Sequence, residues 1–147
     1  MNEVDVEARP SSTAKEPTIF SLLHAAHALE DRVEAALGSV ELSSPKYSVL
    51  TELVGSDKPV SLGELASRLS CVRSNMTQLV DRLEADGLVK RVDCPTDRRS
   101  VNAAITELGR TRQQAGAEAL ATLHTEFAAQ VDAKDRAAME RLLRVLG

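Results

Sequence analysis

Between positions 73 and 82 the chain carries Arg73, Ser74, Asn75, Thr77, Gln78, Asp81 and Arg82, interleaved with Met76, Leu79 and Val80 and followed by Leu83. On a helix advancing about 100° per residue, the four apolar residues fall on one side. Ser74, Thr77, Gln78 and Asp81 fall on the other, flanked by Arg73, Asn75 and Arg82. Short hydroxyl and amide groups can exchange hydrogen bonds with base edges in a major groove, and guanidinium groups are drawn to phosphates. The pattern also describes an ordinary solvated helix face. A second group, Pro95-Thr96-Asp97-Arg98-Arg99-Ser100, puts two guanidinium groups at the tip of a turn, within reach of an adjacent narrow groove of negative potential. A surface turn can equally carry Arg for solubility alone.

Other reactive residues are sparser. Cys71 precedes the helix just described, where the helix dipole and Arg73 would favour its thiolate, and Cys94 sits at the base of the Arg-bearing turn. Both are expected as free thiols. Oxidation of either would disturb one of the two polar groups, so they are redox-switch candidates as well as small hydrophobes of the core. His24 and His27 are spaced i, i+3, with His124 far along the chain. A metal motif would add Cys or carboxylate ligands at fixed spacing, and none is evident, so no metal is expected. The sequence shows no Gly-rich phosphate loop and no Ser/His/Asp or Cys/His signature, so neither a catalyst nor a cofactor is expected.

The elements that must position these residues can be read from periodicity. Residues 1–17 lack apolar periodicity and read as a flexible arm. A long amphipathic helix runs from Thr18 to Gly38, and a second from Ser44 to Val54 with Pro45 in its first turn. Ser61 and Glu64 form a capping box before Leu62, Leu65, Ala66 and Leu69. A break at Ser70–Val72 separates this short helix from the one carrying Ser74 and Gln78, which is a helix-turn-helix arrangement. The period then changes to that of two strands, Leu88–Val92 and Val101–Ile105, forming a hairpin. Thr106 caps a helix to about Val131, and Asp132 caps a last one. The expected fold is mainly α with a small β-hairpin wing: a winged helix-turn-helix flanked by long dimerisation helices. The first helix and the last two carry more apolar surface than so small a lobe can cover, which marks an interface.

Composition narrows the class. The 147 residues suit one core, and with 2% aromatics and no Trp that core must be aliphatic. So few aromatics argue against modules that stack bases on aromatic side chains. No run of about 18 apolar residues occurs and the start is polar and acidic, so a soluble, cytoplasmic protein with no membrane partner is expected. Residues 61–100 hold seven Lys and Arg against six Asp and Glu, whereas the rest of the chain holds eleven against sixteen. An acidic body thus carries a less acidic, Arg-tipped module, consistent with DNA binding.

Leu65-Ala66-Ser67-Arg68-Leu69, Leu79-Val80-Asp81-Arg82-Leu83-Glu84-Ala85-Asp86-Gly87-Leu88-Val89, Pro95-Thr96-Asp97-Arg98-Arg99-Ser100 and Ile105-Thr106-Glu107-Leu108-Gly109 follow one another in an order and spacing that resembles the MarR family of bacterial winged-helix regulators. The resemblance spans roughly residues 60–110. It implies a homodimer with interlocking terminal helices, a recognition helix at about 72–86, and a wing whose Arg enters the minor groove. By position, it implies DNA contacts from Arg73, Ser74, Asn75, Thr77, Gln78 and Arg98, then Arg99, with Asp97 bracing the wing. The chain departs from the pattern at Val72, where Ser or Thr is common, and at Arg73, where many members have Pro. The organisation expected is a 1–17 arm, 18–55 dimerisation and ligand-pocket helices, a 56–106 DNA-binding lobe and 107–147 C-terminal dimerisation helices. The implied function is a transcriptional regulator, a repressor on an inverted-repeat operator in double-stranded DNA, released by a small-molecule effector or by oxidation. His24, His27 and Tyr47 are the candidates to line an effector pocket. A winged-helix adaptor that binds protein and not DNA is the alternative.

Overall fold

The computed structural model describes residues 18–97 and 100–147. The arm expected over residues 1–17, and Arg98 and Arg99 of the hairpin turn, lie outside the described residues. The element order is α1 (Ile19–Gly38), α2 (Ser44–Val54), β1 (Val60–Ser61), α3 (Leu62–Arg68), α4 (Arg73–Ala85), β2 (Val89–Asp93), β3 (Val101–Ile105), α5 (Glu107–Gln130) and α6 (Ala133–Leu146). Helix starts follow the capping residues. The Thr18 hydroxyl accepts from the Ser21 amide, Ser61 from Glu64, Thr106 from Gly109, and the Asp132 carboxylate from Asp135, at 2.7–3.3 Å. Val72 caps α4 by backbone alone, with no side-chain hydrogen bond.

Three details depart from the sequence reading. The sheet has three strands, in the order β1-β3-β2, because Val60 and Ser61 pair antiparallel with Ala103 and Asn102. Strand β2 starts at Val89, one residue later than expected, and pairs with β3 from Val89↔Ile105 to Asp93↔Val101. The capping box is half made: Glu64 does not reach back to Ser61, because its carboxylate accepts from Arg68 Nη2 at 2.5 Å. A charged partner one turn on outcompetes a neutral backbone donor.

Val49, Leu50 and Leu53 of α2, Leu65 of α3, Met76, Val80 and Leu83 of α4, and Val60, Leu88, Val89 and Ala103 at the sheet build one aliphatic core. Gly87 closes α4 at φ +73°, a left-handed conformation that an L side chain adopts only under strain. From there the chain passes under the first turn of α5. The Thr106 hydroxyl lies 2.7 Å from the Gly87 carbonyl and 3.1 Å from the Leu88 carbonyl, and the Thr106 amide donates to the Leu88 oxygen at 3.1 Å. A Cβ at Gly109 would lie 2.0 Å from that same oxygen. Gly109→Ala is therefore expected to lower the unfolding free energy by about 3 kcal/mol, as backbone must move to admit the methyl group. Urea denaturation checks this, and a midpoint equal to wild type would show that the contact is not tight.

The terminal helices contribute little to this core. Leu37 is the one fully buried residue of α1, and α6 has none. Phe20 is 82% exposed and Leu143 59%. On α6 the exposed Met139, Leu142, Leu143 and Leu146 recur at i, i+3, i+4 and i+7, so the uncovered apolar residues form a stripe.

Candidate nucleic-acid interface

Helix α4 presents its surface as its periodicity requires. Met76, Val80 and Leu83 are fully buried, while Arg73, Ser74, Asn75, Thr77, Gln78, Asp81 and Arg82 are exposed. Helix α3 lies behind it across a tight turn, in which Ser70 takes φ 49° and the Cys71 amide donates to the Ala66 carbonyl at 2.8 Å. Among the described residues the side chains of Ser74, Asn75 and Gln78 make no hydrogen bond within the chain, so their donors and acceptors face outward unengaged. Thr77 differs: its hydroxyl donates to the Arg73 carbonyl at 3.1 Å, which leaves its lone pairs and methyl group on the surface.

Electrostatics along this face are set by a clamp that sequence reading missed. Arg91, on β2, donates to Asp81 Oδ1 at 2.5 Å and to Glu84 Oε2 at 2.6 Å, and its amide meets Glu84 Oε1 at 3.2 Å. Its basicity is raised, chiefly by the Asp81 hydrogen bond, against partial burial. The clamp joins the helix to the ribbon and neutralises carboxylates that would repel a polyanion. Asp81 is thus an ion-pair partner as well as a polar residue of the face. The available signal was an i, i+3 carboxylate pair on one helix followed by a basic residue in the next strand. Lys46 of α2 similarly holds Asp86, beyond the end of α4, at 2.5 Å. Among the described residues Arg73 and Arg82 have no carboxylate within ion-pair distance.

The remaining candidates are scattered. His24 and His27 lie exposed on α1, where His27 Nδ1 meets the Leu23 carbonyl at 2.7 Å, and His124 is exposed on α5. Tyr47 packs on α5, so close that a Cβ at Gly116 would lie 2.8 Å from its ring. A cleft of about 500 Å³ opens instead between Ser44, Pro45 and Ser48 of α2, the α3–α4 turn at Leu69–Val72, and Asn75, Met76 and Leu79 of α4. Cys71 lines this cleft, and His24, His27 and Tyr47 do not. Among the described residues no three His, Cys, Asp or Glu side chains cluster to hold a metal ion, and no helix is long and apolar enough to cross a membrane.

Cys71 and Cys94 are both free thiols. The Cys94 thiol is held below the ordinary thiol range, first by a 3.2 Å hydrogen bond with Thr96 Oγ1 and then by the backbone at Thr96 and Asp97. Desolvation, and after it the Asp97 charge, oppose the shift. Lowering the pKa enlarges the thiolate fraction at any pH below it. Iodoacetamide labelling of a Cys71→Ser variant should therefore show a rate midpoint below the ordinary thiol value of about 8.5. A midpoint at or above that value would contradict the assignment.

A helix-turn-helix whose second helix stands exposed beside a three-stranded sheet ending in a ribbon defines a winged-helix domain. The MarR family model matches residues 42–101. The HTH-type transcriptional regulator PrsX of Escherichia coli is 33% identical over 82 residues, which is 55% of this chain and 49% of PrsX. The crystal structure of the transcriptional regulator BldR from Sulfolobus solfataricus is 30% identical, with a TM-score of 0.68 over 86% of this chain and 90% of BldR. Staphylococcus aureus MepR, solved in complex with DNA, has a TM-score of 0.75 over 89% of this chain and 97% of MepR, at 17% identity, which is a likeness of fold. The chain belongs to the MarR family. It spans about half the length of the curated relatives it matches.

Proposed function

We propose that this protein is a cytoplasmic homodimeric transcriptional regulator, a repressor, that binds an inverted-repeat operator and leaves it on a small-molecule or oxidative signal. The observation that carries the reading is the outer face of α4, where Ser74, Asn75 and Gln78 stand exposed and unengaged over a rigid Met76, Val80 and Leu83 base. A helix held in this way offers amide and hydroxyl groups to base edges, and Arg73 offers charge to phosphate. The proposed contacts are Arg73, Ser74, Asn75, Thr77 and Gln78 in the major groove, with Arg98 and Arg99 from the wing in the minor groove. The 56–106 lobe would carry them, and the helices of 18–55 and 107–147 would join two copies. Two such lobes about 34 Å apart read one two-fold-symmetric site. MepR's complex with DNA supports this by shared fold. The cleft beside Asn75 and Cys71 suits a small effector, because an occupant would touch the recognition helix itself. Cys94, at the base of the wing, gives oxidation a point of action.

The test is fluorescence anisotropy of the full chain, across a salt series, with duplexes selected from the source genome and scrambled controls. Selected duplexes should bind far more tightly, with affinity falling as salt rises. Equal, salt-insensitive affinity for both would favour a protein-binding adaptor. Gln78→Ala should cost about 1–3 kcal/mol on the selected duplex and little on the scrambled one. Equal losses on both would refute base reading at Gln78.

A further inference from the structure

Strand β3, the first turn of α3 and the start of α4 enclose a cleft of about 240 Å³, separate from the one at Cys71. Gly63, Arg73, Thr77, Arg91 and Ser100 are among its walls. Gly63 is the unexpected member. It lies in the first turn of α3 with φ outside the left-handed region, so the backbone does not call for glycine there, and glycine weakens a helix relative to alanine. What the missing side chain provides is room. The three atoms nearest to where its Cβ would stand are all from the Arg73 guanidinium: Nη2 at 3.3 Å, Cζ at 3.6 Å and Nε at 3.9 Å. The guanidinium group lies over the bare Cα.

The other polar groups of the cleft are largely engaged. Arg91 is clamped by Asp81 and Glu84, and the Thr77 hydroxyl donates to the Arg73 carbonyl. Arg73 is the cation of this cleft without a carboxylate partner among the described residues. It stands on the recognition helix one turn before Thr77, across the cleft from Ser100 and Val101 at the start of β3.

We propose that Gly63 is a positioning residue for DNA binding: its bare Cα seats Arg73 where the guanidinium group meets one phosphate of the DNA backbone, between the recognition helix and the wing. This inference rests on the DNA-binding reading above. A side chain at position 63 displaces the guanidinium group. Alanine moves it by a few tenths of an ångström, and leucine occupies its place.

The test is a double-variant cycle on the full chain, with one selected and one scrambled duplex across a salt series. Releasing one fewer counterion lowers affinity about tenfold near 0.1 M salt and flattens the salt slope by about 0.9, whatever the sequence. Arg73→Ala should do this on both duplexes. Gly63→Leu should reproduce both effects and add nothing when Arg73 is already Ala, and Gly63→Ala should fall between wild type and Gly63→Leu. Wild-type binding by Gly63→Leu would overturn the proposal, as would an equal loss in the Arg73→Ala background, which would mean a structural role in α3. If circular dichroism shows Gly63→Leu unfolded, Gly63→Ala decides, with unchanged binding counting against the proposal. Failure of the wild-type chain to bind either duplex would remove the DNA-binding reading itself, an outcome visible before any variant is made.

Discussion

Leu143→Glu is expected to convert the proposed homodimer into folded monomers and to abolish tight binding to the proposed two-fold operator. Leu143 is 59% exposed on α6, in line with Leu142 and Leu146, and α1 exposes Ile19, Phe20, Leu22 and Leu23. Burying a leucine is worth about 2 kcal/mol, and a two-fold interface counts each substitution twice, so the dimer should weaken by about 4 kcal/mol, roughly a thousandfold. The carboxylate's desolvation adds to that loss. Because α6 has no buried residue within the protomer, the monomer's core is left intact. A monomer then binds one half-site without the linkage that multiplies affinity by about 10²–10⁴. Analytical ultracentrifugation with anisotropy on a full operator and a half-site decides the matter. Leu23→Glu on α1 should act in the same way, and a dimer that survives both substitutions would refute this interface.

Much of this architecture was legible because it is local. The caps at Ser61, Thr106 and Asp132 each act within three residues, and the apolar period of α4 is the one that buries Met76, Val80 and Leu83. Strand β1 was not legible: two residues carry no period, and Val60 and Ser61 become a strand only because β3 offers its free edge. The second half of the capping box failed for a related reason. The motif at Ser61 and Glu64 is local, but Arg68 competes for the same carboxylate.

The candidate site divides along the same line. The outward set Ser74, Asn75, Thr77 and Gln78 follows from helical angle and stands exposed in the structure. The pairing of Arg91 with Asp81 and Glu84 depends on how the ribbon folds back on the helix, which no local pattern encodes. Tyr47 illustrates the converse. Its ring packs against α5 at Gly116, a contact 69 positions away in the chain that only the tertiary fold brings about.

The Arg91 clamp leads to the second large effect. Removing the guanidinium group in Arg91→Ala frees two carboxylates on the helix proposed to face the phosphates. Asp81 is 55% exposed and Glu84 41%, so the pairs themselves stabilise the fold weakly, by about 1 kcal/mol at most after solvent screening, and the variant should remain folded. Binding is more sensitive. Each freed charge a few ångströms from a phosphate costs about 1 kcal/mol in a watery environment, so the two together should lower duplex affinity about thirtyfold, more at low salt than at high. Arg91→Lys keeps the charge but cannot span both carboxylates, and should lose part of that affinity. Charge release can be separated from loss of bracing by adding Asp81→Asn and Glu84→Gln to Arg91→Ala. If the freed carboxylates cause the defect, the triple variant recovers most of the wild-type affinity although the wing is no longer tied to the helix. If it stays weak, the guanidinium group acts by holding the wing or by touching DNA itself, and the neutralising role assigned to it is wrong.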